Sequence, residues 1–205
     1  MWRRSIKSCA DLLNFLVQRH NYRTYLEIGV GDPRNNFDKV QAPVKHGVDP
    51  APQGEATHLM TSDVFFAARP LDTFYDLILI DGLHLAEQVE RDINNSIACL
   101  SPGGRIVLHD CNPLTEDAQT EGYDGVKVWN GTVWKAWLKL RASRSDLSMC
   151  VVNIDNGCGV ISSGSQSLYS APTLDYANMS YAWLALNRRA ALNLVTPDAF
   201  VRRAR

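Results

Sequence analysis

Residues Tyr75-Asp76-Leu77-Ile78-Leu79-Ile80 form an apolar run interrupted only by Asp76. A short continuous run of this kind suits a strand buried on both faces, and such strands belong to parallel sheets covered by helices. The next segment of chain agrees with that. Leu85, Val89, Ile93, Ile97 and Leu100 recur at helical spacing and predict a helix of about 16 residues. Ser101-Pro102-Gly103-Gly104 then reads as a turn, and Arg105 to Leu108 as a second buried strand. A strand–helix–strand unit of this type is the kernel of an α/β fold.

The alternation continues in both directions. Ile6, Cys9, Leu12, Leu13, Leu16 and Val17 predict an amphipathic helix over 5–19. Tyr25 to Ile28 reads as a strand stopped by Gly29, Val44 to Val48 as a second ending at Asp49-Pro50, and His58 to Thr61 as a short third. Downstream, Val133, Trp134, Trp137, Leu138 and Arg141 predict a helix. Cys150 to Ile154 and Gly159 to Ile161 predict two strands joined by Asp155-Asn156-Gly157, a strong hairpin signal. Ala182 to Leu194 reads as a last helix. The expected architecture is an α/β sandwich, mostly parallel, closed by an antiparallel hairpin strand. It is read as one domain over 1–205. An N-terminal helix occupies 1–20, the core 21–163, a long polar loop fit for a lid 111–130, and a C-terminal extension 164–205.

Composition narrows the function classes. Of the 205 residues, 45% are hydrophobic and 21% charged, with a net charge of -1, which argues against a nucleic-acid binder that relies on bulk charge. The basic ends, Arg3, Arg4 and Lys7 and then Arg202, Arg203 and Arg205, are read as solvated termini. No apolar run approaches the about 20 residues that span a bilayer, and the N-terminus lacks a signal peptide's hydrophobic stretch. The cysteines, Cys9, Cys99, Cys111, Cys150 and Cys158, form no CxxC pair. That spacing argues against both a thiolate zinc site and a disulfide framework, and a reducing, cytoplasmic setting is expected.

In an open parallel sheet, ligands bind beyond the carboxyl ends of the strands. Those positions carry Gly29, Gly31 and Asp32, then Asp49, Asp63, Asp81 with His84, and His109 with Asp110. Glycines 29 and 31 let backbone approach a ligand. A dinucleotide fingerprint would need a further glycine where Arg34 stands. Asp49 follows the turn by about 20 residues, the distance at which a carboxylate meets a ribose diol.

The run Tyr25-Leu-Glu-Ile-Gly-Val-Gly31, with Asp49, Asp63, Asp81 and the Asn156-Gly-Cys-Gly-Val160 hairpin, resembles the class I S-adenosylmethionine-dependent methyltransferases over residues 20–163. Asp81-Gly-Leu-His84, Pro102-Gly-Gly104 and His109-Asp110 are more narrowly similar to the small-molecule, macrocin-type sugar O-methyltransferases. The resemblance implies a Rossmann-like three-layer sandwich with a seven-stranded, mostly parallel sheet. It implies that Glu27 and the Gly29–Gly31 loop hold the methionine end of S-adenosylmethionine and that Asp49 takes both ribose hydroxyls. Asp63 would take the adenine amino group, with Ser62 and Val64 beside the ring, and Asp81 would lie by the amino-acid end and the acceptor. Two positions depart from the family: Pro33 replaces a loop glycine, and His109 stands where metal-using relatives carry a carboxylate.

Methyl transfer to a hydroxyl needs in-line positioning and a way to remove a proton. His84, three residues after Asp81, is the candidate base, against a bland reading as a solvated helix-start histidine. Asp81, His109 and Asp110 could hold a divalent cation such as Mg²⁺, against a metal-free hydrogen-bond network. Glu87, Glu90 and Asp92 read as a solvated helix face, Trp134 and Trp137 as core, and Trp129 as an acceptor contact. His20, His46 and His58 receive no role.

The expected function is methylation of a small hydroxylated acceptor, such as a sugar or glycosylated metabolite, with no nucleic-acid or membrane partner. The oligomeric state is open, a homodimer included. Two rivals stand beside it. One is a non-catalytic nucleotide-binding or interaction domain on the same fold. The other is a short-chain NAD(P) oxidoreductase, suggested by Tyr123-x-x-x-Lys127 but opposed by Gly122 and Gly125, which make that segment a loop.

Overall fold

The computed structural model describes residues 5–122, 128–170 and 175–203. Tyr123 and Lys127, and the basic Arg3, Arg4 and Arg205, lie outside the described residues. The chain runs α1 (Cys9–His20), β1 (Thr24–Ile28), β2 (Val44–Val48), α2 (Ser62–Ala68), β3 (Tyr75–Ile80), α3 (Ala86–Ala98) and β4 (Leu100–Leu108). It continues through α4 (Val133–Ser143), β5 (Leu147–Val152), β6 (Cys158–Ser163), α5 (Tyr181–Ala191), β7 (Leu194–Val195) and α6 (Pro197–Arg203).

A single seven-stranded sheet has the order β2-β1-β3-β4-β6-β5-β7. Strands β2, β1, β3 and β4 are parallel, and β6 is antiparallel to both β4 and β5. The fold is the Rossmann-like sandwich expected. Strand β3 shows why its run had to be continuous. Leu77 and Leu79 join the core beneath α1 and α6, while Ile78 and Ile80 join the core beneath α3, α4 and α5. All four are essentially fully buried, each contributing about 1.5–3 kcal/mol on area grounds.

Several elements differ from the sequence reading. His58 to Thr61 is not a strand. His58 makes one isolated bridge to Val48, and Thr61 caps α2, a helix with Phe65 as its buried residue. The seventh strand is instead β7, which begins at the last residue of the predicted final helix; that helix stops at Ala191. The Ser101–Gly104 turn lies inside β4, where the pairing with β3 shifts register between Tyr75 and Leu77. Asp92 is not on a solvated face but buried, accepting a hydrogen bond from Gln88 at 3.1 Å, and burial raises its carboxyl. In the 111–130 loop, a 3-10 turn over Asp117–Gln119 buries Ala118. Among the described residues, no helix is long and apolar enough to cross a membrane.

Candidate active site

The carboxyl ends of β1, β2, β3 and β4 open on a cleft of about 830 Å³. Gly29 sits at φ +84°, and a Cβ there would lie 2.2 Å from the Asp81 carbonyl oxygen. Only glycine lets the β1 turn pass so close to the β3 end. Gly31 also has a positive φ, but a Cβ there would project into open space. Its N–H donates to Asp49 Oδ2 at 2.8 Å, and the Ala51 N–H donates to Asp49 Oδ1 at 2.7 Å. Two backbone donors therefore aim the Asp49 carboxylate, and each oxygen keeps a second lone pair. Arg34, which stands where a fingerprint glycine would be, turns outward and pairs with Asp32 at 2.6 Å. Pro33 packs where Gly54 leaves room for it.

Ser62 and Asp63 line the cleft from the start of α2, held by Gln88, whose Nε2 donates to Ser62 Oγ at 3.1 Å and to Asp63 Oδ1 at 3.2 Å. Two residues expected here are elsewhere. Val64 is exposed and does not line the cleft. Glu27 is buried on the α1 side of β1, where it accepts a hydrogen bond from the Tyr25 hydroxyl at 2.6 Å. Alternation along the strand puts Ile28 over the cleft side and Glu27 beneath it. Burial pushes the Glu27 carboxyl up to about 8.

The other wall is a cluster of charge. Asp81 Oδ1 lies 3.4 Å from His84 Nε2 and 3.2 Å from His109 Nδ1. Asp110 Oδ2 lies 3.5 Å from His84 Nδ1 and 3.3 Å from His109 Nδ1. Asp110 occupies the left-handed region at φ +59°, an uncommon conformation for a non-glycine residue. Burial opposes charge on Asp81, His84 and His109. It would raise Asp81, yet the adjoining His109 and His84 rings hold that carboxyl far below the usual range. Burial would likewise depress the imidazoles, but the surrounding carboxylates raise both His84 and His109. The His109 ring is buried among three carboxylates, with Asp155 Oδ2 lying 3.7 Å from its Nε2.

A segment distant in sequence holds this cluster. The Trp129 carbonyl lies 3.0 Å from His84 Nδ1, and the two rings stack at 4.9 Å. A carbonyl can only accept, so Nδ1 carries a proton, while Nε2 faces Asp81 Oδ1. Asn130 is fully buried and its Nδ2 donates to Asp110 Oδ1 at 2.6 Å. The Gly131 backbone passes so close to His84 that a Cβ would lie 2.1 Å from the His84 carbonyl oxygen. The Thr132 hydroxyl accepts the Ala86 N–H at 2.8 Å, capping α3, whose own N-cap Leu85 supplies no side-chain bond. Trp134 and Trp137 are core, as expected. Asn130 and Thr132 escape the sequence reading. The Asn130-Gly131 pair, a turn signal directly before a helix, is the available clue.

A family sequence pattern described as a methyltransferase domain matches residues 8–111, more than half the chain. The chain belongs to this methyltransferase family. Its fold and family place it among the class I S-adenosylmethionine-dependent methyltransferases. Solved structures with the same fold include the O-methyltransferase TomG of Streptomyces achromogenes, involved in tomaymycin synthesis and solved with SAM. It is 15% identical, with 75% of this chain and 78% of that one covered and a TM-score of 0.53. The SAH-bound methyltransferase PaMTH1 of Podospora anserina is 13% identical, with 76% and 78% covered and a TM-score of 0.54. Cofactor-bound Rv0187 from MTB is 12% identical, with 81% and 84% covered and a TM-score of 0.56. No curated protein matches the chain significantly in sequence.

Proposed function

We propose that this methyltransferase transfers the methyl group of S-adenosylmethionine to a hydroxyl of a small molecule, such as a sugar or glycosylated metabolite. The observation that carries the reading is His84, whose Nδ1 proton the Trp129 carbonyl fixes and whose Nε2 faces Asp81 at 3.4 Å in the cleft. Asp49 takes the ribose diol, Asp63 and Ser62 the adenine edge, and the Gly29–Gly31 loop the methionine end. Asp81 faces the reacting end. Glu27 and Val64, which do not line the cleft, take no part. His84 Nε2 removes the acceptor hydroxyl proton as the oxygen attacks the methyl carbon in line, and the neighbouring carboxylates stabilise the imidazolium that forms. The cleft volume is that of a small-molecule site. The Trp129 ring at its edge gives an acceptor an apolar face, and segment 111–130 is the proposed lid. TomG, an O-methyltransferase of a biosynthetic route, supports the same substrate class.

The decisive experiment is calorimetry with S-adenosylmethionine, which needs no acceptor. Saturable binding is expected, and an absence of heat at millimolar cofactor would refute the proposal. A second reading rests on two further observations. Ligand atoms of Asp81, His84 and Asp110 lie within 4.8 Å of one another, and the buried Asn130 Oδ1 has no partner among the described residues. His84 thus replaces His109 in the set expected from sequence. These residues would hold a divalent cation such as Mg²⁺, which supplies polarisation of the acceptor oxygen when bound. Full activity in a chelator with loss in His84→Ala assigns the proton to His84. Loss in a chelator and recovery with Mg²⁺ assigns the acceptor oxygen to the ion.

A further inference from the structure

Behind the charged wall, four chain segments bring together a donor set of which only His109 also belongs to that wall. Cys9 is the first residue of α1, Cys158 the first of β6, His109 follows β4, and Asp155 lies in the hairpin turn. Ligand atoms of Cys9, His109 and Cys158 all lie within 4.8 Å of one another. Both thiols are fully buried and not joined in a disulfide. Asp155 Oδ2 lies 3.7 Å from His109 Nε2 and accepts the Cys9 N–H at 3.0 Å.

We propose that Cys9, Cys158 and His109, completed by Asp155 drawn in on binding, form a binding site for a thiophilic divalent cation of the zinc class, stapling α1 to the sheet behind the active site. Tetrahedral zinc with bonds of about 2.0–2.3 Å sets its ligand atoms roughly 3.3–3.8 Å apart, so a small inward adjustment of the three closes the site. The donor set of two sulfurs, one imidazole nitrogen and one carboxylate oxygen is zinc's and not that of Mg²⁺.

His109 has the orientation such a site requires. Nδ1 faces Asp81 and Asp110, which leaves Nε2 as the ligating atom. A zinc-bound histidine ordinarily gives its other N–H to a carboxylate, fixing its tautomer, and here two carboxylates wait for it. The Asp155 side chain is 42% exposed, so the site reaches solvent through its oxygen ligand. The lack of a CxxC pair argues against a thiolate site only for ligands close in sequence, and these come from distant segments.

The test is a Co²⁺ titration of the full chain after removal of metal by a chelator. Expected is an intense sulfur-to-cobalt charge-transfer absorption that saturates at one equivalent, is bleached by Zn²⁺ and is indifferent to excess Mg²⁺. An ion at Asp81, His84 and Asp110 has no sulfur ligand and cannot produce this band. Folded wild-type protein without the band overturns the proposal, and no variant is needed for that result. A band that persists at full strength in Cys158→Ser also overturns it, because the sulfur would then belong to another cysteine. Neither result bears on S-adenosylmethionine binding, which calorimetry tests separately.

Discussion

On the β1–β2 side of the cleft, position is set by backbone. Gly29 threads past the Asp81 carbonyl, the Gly29 N–H bonds the Val48 carbonyl at 2.8 Å, and two N–H groups orient Asp49. On the β3–β4 side, position is set by charge. Asp81, His84, His109 and Asp110 lie within ion-pair distance of one another, steadied by Trp129 and Asn130. The first wall is formed by steric fit and short hydrogen bonds, so it stands ready before any ligand arrives. The second is a balance of protons and carboxylates, and whatever enters must redistribute it. A binding wall suits the first construction and a reacting wall the second.

The sharpest test of the backbone wall is Gly29→Ala. A methyl group 2.2 Å from the Asp81 carbonyl oxygen, on a residue at φ +84°, cannot be accommodated without moving one strand end. The loss should exceed about 3 kcal/mol, among the larger single-residue effects, and chemical denaturation measures it. A loss under about 1 kcal/mol would mean that the close approach is not what orders this wall.

Glu27 tests the comparison differently, because it is an ionisable group beneath the wall built of backbone. Its carboxyl is raised from 4.5 to about 8 by burial, so the folded protein prefers it neutral. The stability that this preference contributes is fully present below the unfolded value and is lost as pH rises through about 8. By linkage the loss amounts to a few kcal/mol. Glu27→Gln keeps an acceptor for the Tyr25 hydroxyl and removes the titration. The variant should match the wild type near about pH 5 and be more stable near about pH 8.5, a difference that denaturation at the two pH values reads out. Parallel pH profiles would show that Glu27 ionises freely.

Asp49→Ala removes the group proposed to take the ribose diol. Hydrogen bonds to a charged group are worth about 1.5–3 kcal/mol each. Losing two should weaken S-adenosylmethionine binding by roughly a hundredfold or more, with little change at the charged wall. Affinity within a few-fold of wild type would take the ribose away from Asp49.

The two walls are not equally legible in the sequence. Gly29, Gly31 and Asp49 can be read because each acts through a local rule, a glycine after a strand or a carboxylate at the next strand end. The strands themselves can be read wherever the apolar pattern is long, as in Tyr75–Ile80. His58–Thr61 misleads because a bridge, a cap and a helix with one buried residue leave no period to detect. At the charged wall, Asp81, His84, His109 and Asp110 are visible as residue types, but their pairing is not. Which histidine faces which carboxylate depends on Trp129 and Asn130, and their contact with this wall is set by the chain's return across the top of α3. The burial of Asp92 depends in the same way on Gln88 and Ser62.

Gly31→Ala carries the smallest stability effect and bears most directly on what the backbone wall is for. Gly31 shares with Gly29 a positive φ, here +53°, yet a Cβ at this position meets nothing within 4 Å. The conformational cost alone is about 1 kcal/mol, and the protein should fold normally. The added methyl group would project into the space proposed for the cofactor, beside the N–H that orients Asp49. Binding of S-adenosylmethionine should therefore fall more than stability does, the reverse of Gly29→Ala. Calorimetry and denaturation on the two variants together separate a glycine kept for the fold from one kept for the ligand. Unimpaired binding in Gly31→Ala would move the cofactor away from this loop.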